Sequence, residues 1–156
     1  MNTTTRKRPI WKQVLGIASH LSTFIAVLVA TSVIWRDSPV YAVIYLAIFA
    51  SWYATIFTAY CSKCPCHHNC THVYMGWIAS KLFKTRRPGG SSSDTLINSA
   101  LLIALLLFPQ YWLKDHLLIL LGFWLVMIAM GPLITPLFCP GCDNTSCPVH
   151  TLLKRE

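Results

Sequence analysis

Four long apolar runs are the feature that most constrains this chain of 156 residues. They cover residues 14–35, 40–60, 95–112 and 117–138, and none contains Asp, Glu, Lys or Arg. A helix needs about 20 residues to cross the ~30 Å hydrocarbon layer of a bilayer. Because lipid cannot hydrogen-bond the backbone, an open chain crosses it only as helices. The pattern predicts an all-α integral membrane protein, one domain of residues 1–156 with four transmembrane helices.

The small number of charged residues excludes several classes of protein. Charged residues make up 12% of the chain and hydrophobic residues 54%, whereas soluble domains carry about 25% charged residues. A disordered chain would need the opposite balance. The uncharged spans also argue against a proton pump or an ion-coupled transporter, which generally need ionisable groups at membrane depth.

The basic residues predict the orientation in the membrane. Eleven of the 13 fall in the N-terminal tail, the connection between spans two and three, and the C-terminal tail; they are Arg6, Lys7, Arg8, Lys12, Lys63, Lys81, Lys84, Arg86, Arg87, Lys154 and Arg155. Only Arg36 and Lys114 fall on the other side. The positive-inside rule therefore predicts a multi-pass protein of the inner (cytoplasmic) membrane with both termini in the cytoplasm.

The connection between spans two and three contains a predicted short helix, residues 73–84. Polar or small residues recur every fourth position around it, at His72, Gly76, Ser80 and Lys84, on an otherwise apolar cylinder. Such a stripe suits a helix that lies in the membrane interface, and a cytoplasmic helix packed on the bundle is the alternative. Its basic end, residues 81–87, suits lipid headgroups. We expect the lipid bilayer as a partner and no nucleic acid.

All seven cysteines fall in two Cys/His-rich segments, residues 61–72 and 139–150, each starting where a span ends on the cytoplasmic side. The cytoplasm keeps thiols reduced, so clustered cysteines there indicate metal ligands or redox thiols. Spacers of two residues let neighbouring thiolates converge on one metal. The seven cysteines and one histidine make two sets of four ligands. The first set is Cys61, Cys64, Cys66 and Cys70, and the second is Cys139, Cys142, Cys147 and His150.

The choice of metal depends on the residues around these cysteines. Proline follows Cys64, Cys139 and Cys147, and a Cys-Pro step also closes the ferredoxin-type run of iron–sulfur ligands. We expect an iron–sulfur cluster that transfers electrons between a cytoplasmic donor and a membrane partner or quinone, so that the chain acts as a redox subunit. The alternative is a structural or sensory zinc site, since zinc accepts the same ligand sets.

The Cys-Pro motifs resemble those of the membrane electron-transfer proteins of nitrate and nitrous-oxide respiration. Those proteins carry C-x3-C-P on the cytoplasmic side of several spanning helices, whereas this chain has C-x2-C-P at Cys61–Cys64 and C-x4-C-P at Cys142–Cys147. The resemblance implies electron transfer with a redox partner protein or membrane complex. A third interpretation, a four-helix thiol–disulfide oxidoreductase, resembles vitamin-K-reductase-like enzymes, which place their cysteines on the outer side.

The histidines add further candidate ligands. His68 and His72 are four residues apart, a spacing that puts two imidazoles on one helix face, and His67 is a further candidate for the metal or its surroundings. His20 lies within the first span, where a hydrogen bond to a neighbouring helix is expected. Ser51, Thr55, Thr58, Asn98 and Ser99 are likewise expected to hydrogen-bond between helices.

The predicted orientation can be tested in intact cells. A reporter fused after Glu156 should report a cytoplasmic C-terminus, and a membrane-impermeant thiol reagent should leave Cys61 and Cys139 unlabelled. Labelling of either cysteine from outside would contradict the topology and favour the oxidoreductase interpretation.

Overall fold

A computed structural model describes residues 10–63 and 92–129 of the chain, together with Ile78, Lys81 and Leu82. The described part is helical and contains no strand. Its elements are α1 (Ile10–Asp37), α2 (Pro39–Thr55), a π-helical turn (Ile56–Tyr60), a 3-10 turn (Cys61–Lys63), α3 (Ser92–Leu107), α4 (Gln110–Leu113) and α5 (Leu117–Ile128).

Three helical stretches are long and apolar enough to cross a membrane. They are Gln13–Asp37, Pro39–Tyr60 and Ser93–Leu113, with 25, 22 and 21 residues. At about 1.5 Å per residue each exceeds the ~30 Å hydrocarbon layer. The all-helical class and these three spans are as predicted. The chain therefore has the helices of a multi-pass membrane protein.

Two of the predicted helices lie only partly within the described residues. The fourth apolar helix begins at Leu117 as predicted and is described for 12 residues, as far as Ile128; the predicted remainder up to residue 138 is outside the described part, except for Ala129. Of the predicted interfacial helix, residues 73–84, the structure describes Ile78, Lys81 and Leu82, and all three are helical.

The outer surface of the helices is apolar. Large hydrophobic side chains are exposed along every long helix, for example Ile25 on α1, Val43 on α2, Ile103 on α3 and Leu121 on α5. A soluble monomer rarely exposes a continuous apolar surface of this extent. The surface suits contact with lipid acyl chains, as the composition predicts.

The helices pack in a defined order. α1 contacts both α2 and α5, and α2 also contacts α3. The core between them contains Val27, Ala30 and Ile34 of α1, Ala42 and Tyr45 of α2, Leu105 of α3, Leu113 of α4 and Phe123 of α5. Two of these core positions, 30 and 42, are alanines, and small residues are usual where helices meet in a membrane.

Two short connections meet at one end of the bundle, which we call the turn end. α1 and α2 are joined through Ser38 alone, whose extended backbone (φ −152°, ψ 112°) breaks the helix before Pro39. α3 reaches α4 through Phe108 and the buried Pro109, which lacks the N–H that a continuous helix would need. Residues 114–116 then lead into α5. α2 and α5 therefore both start at the turn end and run in the same direction.

The threonine hydroxyls of the second span form hydrogen bonds within their own helix. Thr55 donates to the carbonyl oxygen of Ser51 and Thr58 to that of Ala54, each at 2.9 Å. The expectation that these residues hydrogen-bond between helices is therefore wrong. Hydroxyls bond readily to the carbonyl four residues earlier because the helix geometry places it within reach. In a bilayer this leaves them needing no partner on another helix.

The second span ends irregularly. Its last residues, Ile56–Tyr60, form a π-helical turn, and Cys61–Lys63 continue as a 3-10 turn. Within these turns Ala59 and Ser62 are buried. π turns are rare and occur frequently near functional sites in helices. This one lies directly before the first cysteine-rich segment.

The burial of Ala42 predicts a position-dependent effect of added volume. Ala42 is fully buried on α2, whereas Ala47 on the same helix is exposed. Ala42→Leu should destabilise the protein by about 1–3 kcal/mol because the core cannot accommodate the extra methyl groups. The matched variant Ala47→Leu should be nearly neutral. Thermal unfolding in detergent measures both, and equal effects would contradict the described packing.

Candidate functional site

Of the predicted metal ligands, only Cys61 lies within the described residues. The others lie outside them, and their arrangement stays a prediction; they are Cys64, Cys66, Cys70, Cys139, Cys142, Cys147 and His150, with the additional candidates His67, His68 and His72. Within the described part of the chain, no three His, Cys, Asp or Glu side chains come together to hold a metal ion.

Cys61 starts the 3-10 turn at the far end of the second span, which we call the cysteine end of the bundle. It is half-buried, and the following Ser62 is 1% exposed. The Ser62 hydroxyl donates to the carbonyl oxygen of Thr58 at 2.5 Å, across the junction between the π and 3-10 turns. This bond fixes the backbone beside the first cysteine. Cys61 is thus held at the membrane end of its segment, as its sequence position predicts.

A polar pair links α1 and α2 toward the cysteine end. His20 Nδ1 lies 3.2 Å from the hydroxyl oxygen of Tyr53, with the two rings tilted at 58°. Tyr53 in turn makes an edge contact with Phe49, with ring centroids 4.8 Å apart. Tyr53 precedes Cys61 by eight residues, or about 12 Å of helix. His20 therefore bonds to a neighbouring helix as expected, while His116 lies at the turn end, far from it.

Three buried polar atoms have no hydrogen-bond partner within the described part of the chain. They are the Tyr45 hydroxyl and Trp52 Nε1 on α2 and Asn98 Oδ1 on α3. The oxygen of Asn98 thus does not make the interhelical bond expected of it. Tyr45 is held instead by ring packing, because its ring stacks nearly parallel on Phe108 at 5.8 Å.

The turn end is fastened by one long-range hydrogen bond that the sequence analysis missed. Trp112 Nε1 donates to Asp37 Oδ2 at 2.8 Å, across 75 residues of sequence. Tyr41 lies beside the same indole, with ring centroids 5.4 Å apart. These contacts join the α1–α2 connection to α4. The sequence offers one indication of this bond. The two connections at this end carry the few charged residues of that side, and aromatic residues lie next to those charged residues.

The same end contains an open polar pocket of about 350 Å³. Its lining includes Arg36, Asp37, Trp112, Lys114, Asp115 and His116. The Lys114 ammonium lies 4.5 Å from the centre of the Tyr111 ring, a cation–π distance. A second pocket, of about 360 Å³ between α1 and α5, is almost entirely apolar and includes the open space beside Gly122. Of these two pockets, the polar one is lined by charged side chains.

The Trp112–Asp37 bond predicts a measurable coupling. A double-mutant cycle of Trp112→Phe and Asp37→Ala should give about 1 kcal/mol, because a hydrogen bond to a carboxylate is worth more than a neutral one but both groups are partly solvated. The matched cycle with Trp35→Phe should give no coupling, since Trp35 makes no such bond in the described structure. Thermal unfolding in detergent measures both cycles, and equal couplings would contradict the assignment.

Comparison with known proteins assigns no family to this chain. No protein-family model matches it, and no curated protein or solved structure is found to match it.

Proposed function

We propose that this protein is a four-span membrane protein that carries one or two metal centres on its cytoplasmic face and transfers electrons through an iron–sulfur cluster. The donor would be a cytoplasmic redox protein, and the acceptor a membrane complex or quinone. Thiolate ligands of Cys61, Cys64, Cys66 and Cys70, and of Cys139, Cys142 and Cys147 with His150, would hold the metal. The cluster would supply a one-electron couple, and the helices would keep it at the membrane surface.

The observation that carries the proposal is where the cysteines lie relative to the helices. Each cysteine-rich segment follows one of the two helices that start at the turn end, α2 and α5. Because these helices run in the same direction, a fourth span would bring both segments to the same face of the membrane. Cysteines spread at random over the chain would not be confined to that face.

The packing order bears on whether the segments form one centre or two. α1 contacts both α2 and α5. The N-terminal end of α1 therefore lies next to the ends of both helices from which the cysteine-rich segments begin. Two four-ligand centres on either side of α1 use all eight predicted ligands. A single centre would require the segments to reach across the N-terminal end of α1. Metal stoichiometry distinguishes these arrangements.

Zinc is the alternative occupant, and it would change the function. Zinc has no redox chemistry and accepts four thiolates, or three thiolates and an imidazole. A zinc centre would tie the helix ends together or act as a sensor. The Cys-Pro steps and the tight Cys64–Cys66 spacing favour iron–sulfur ligation.

Anaerobic purification of the full chain tests the proposal. The protein should be brown, should contain iron and acid-labile sulfide, and should lose its visible absorption with dithionite, because thiolate-to-iron charge transfer gives these clusters their colour. Colourless protein with stoichiometric zinc would overturn electron transfer and leave the zinc alternative.

Matched variants test the ligands. Cys64→Ser should lose the colour and metal of the first cysteine-rich segment, about half of the total if there are two centres, while the helical circular dichroism signal is retained because the apolar spans do not depend on the centre. Asn69→Ser in the same segment should keep both. Cys139→Ser should remove half of the metal if there are two centres and nearly all of it if there is one. An unchanged metal content in both cysteine variants would contradict the assignment.

A further inference from the structure

The polar pocket at the turn end is not used by the proposed metal centre, which lies at the opposite end of the helices. Its charged groups come from two distant parts of the chain, Arg36 and Asp37 from the last turn of α1, and Lys114 and Asp115 from the connection to α5. The bond between Trp112 and Asp37 brings these two parts together. The pocket is therefore a product of the fold and not of one loop.

The two cations of the pocket are available to an anion. Within the described part of the chain, Arg36 and Lys114 form no ion pair, although carboxylates line the same pocket. A guanidinium offers a planar fork of donors that matches a phosphate, and an ammonium adds a second positive charge. The cation–π contact with the Tyr111 ring helps to keep the Lys114 ammonium at the pocket. Together these two side chains supply the positive charge and the donors that a phosphate group binds.

The two carboxylates differ in how far they are already engaged. One oxygen of Asp37 accepts the Trp112 hydrogen bond, whereas Asp115 makes no hydrogen bond or ion pair within the described residues. The two cations and the two carboxylates of the pocket balance in charge. An anion alone would meet the repulsion of both carboxylates. A zwitterion with a phosphate and an ammonium would satisfy both signs of charge.

The position of the pocket indicates where such a zwitterion would come from. Trp35, Tyr41 and Tyr111 lie at the same end and are 54%, 48% and 66% exposed. Exposed Trp and Tyr at the ends of spanning helices mark the level of the lipid headgroups. The molecules present there at high concentration are phospholipids, and those with an amine headgroup carry the amine close to the phosphate.

We propose that the pocket at the turn end binds the phosphoethanolamine headgroup of a membrane lipid, with the phosphate on Arg36 and Lys114 and the ammonium on Asp115. A primary ammonium donates hydrogen bonds to a carboxylate, whereas the quaternary ammonium of choline has no N–H. A glycerol headgroup has no positive charge for Asp115. The inference rests on the membrane placement in the proposed function and not on the metal centre.

Native mass spectrometry of the full-length protein in detergent tests the headgroup preference. Phosphatidylethanolamine should bind about tenfold more tightly than phosphatidylcholine or phosphatidylglycerol of the same acyl chains, the effect of one additional charge-assisted hydrogen bond. Equal binding of the three lipids, or a preference for either of the other two, would overturn the proposal. Soluble glycerophosphoethanolamine should bind far more weakly than the lipid; equally tight binding would overturn the lipid as the source.

Two variants separate the roles of the charges. Arg36→Gln should weaken all three lipids by a similar factor, because all carry the phosphate. Asp115→Asn should weaken phosphatidylethanolamine about tenfold and leave phosphatidylglycerol unchanged or tighter, since a repulsive charge is removed. Asp94→Asn at the other end of α3 is the control and should leave the order of the three lipid affinities unchanged. The same preference in Asp115→Asn as in the unchanged protein would overturn the assignment of the ammonium.

The proposal and the function on which it rests can fail separately. Thermal unfolding without added lipid should be similar for the Arg36 and Asp115 variants and for the unchanged protein, because both side chains are exposed. Membrane fractionation of the expressed protein checks the placement independently. A membrane-embedded protein without headgroup preference would overturn the pocket alone, whereas a chain recovered in the soluble fraction would overturn the membrane placement itself.

Discussion

The apolar character of most of the chain is the constraint on which the rest of this structure depends. In hydrocarbon every backbone N–H and C=O must find a partner within the chain, which leaves the helix as the only open-chain solution. The hydroxyls of Thr23 and Thr31 follow the same rule and return to carbonyls of their own helix. The long helices consequently contain few reactive side chains, and the charged side chains and cysteines lie at or beyond their ends.

The two ends use this confinement differently. At the turn end the connections are short, and aromatic rings together with one indole–carboxylate bond hold two hairpins against each other. At the cysteine end the described chain stops being regular, through a π turn and a 3-10 turn, and the candidate ligands follow. A rigid turn end would fix the relative direction of α2 and α5, and through them the positions from which both cysteine-rich segments begin.

Sequence reasoning located the first three spans because uncharged apolar runs have sharp limits. Arg36-Asp37 and Pro39 mark the ends of the first run and the start of the second, and the structure places these ends within two residues of the prediction. The predicted hydrogen bonds of Thr55 and Thr58 were wrong because spacing alone does not reveal that a hydroxyl can bond to its own helix. The Trp112–Asp37 bond and the polar pocket depend on packing across 75 residues, which no local pattern encodes.

The π turn changes the direction in which Cys61 faces around the helix axis. Each residue of an α-helix turns the chain by about 100°, so one extra residue accommodated in a wider turn changes the angular phase of everything after it. Cys61 and Ser62 thus face a different direction from the one that an uninterrupted α2 would give them. Removing a single residue between Ile56 and Tyr60 would shorten the span by little more than 1 Å. Because the wider turn absorbs the extra residue, the same deletion would return this stretch to a regular α-helix without rotating the first cysteine-rich segment. Removing a residue from the regular part of α2 would instead rotate that segment by about 100° about the helix axis.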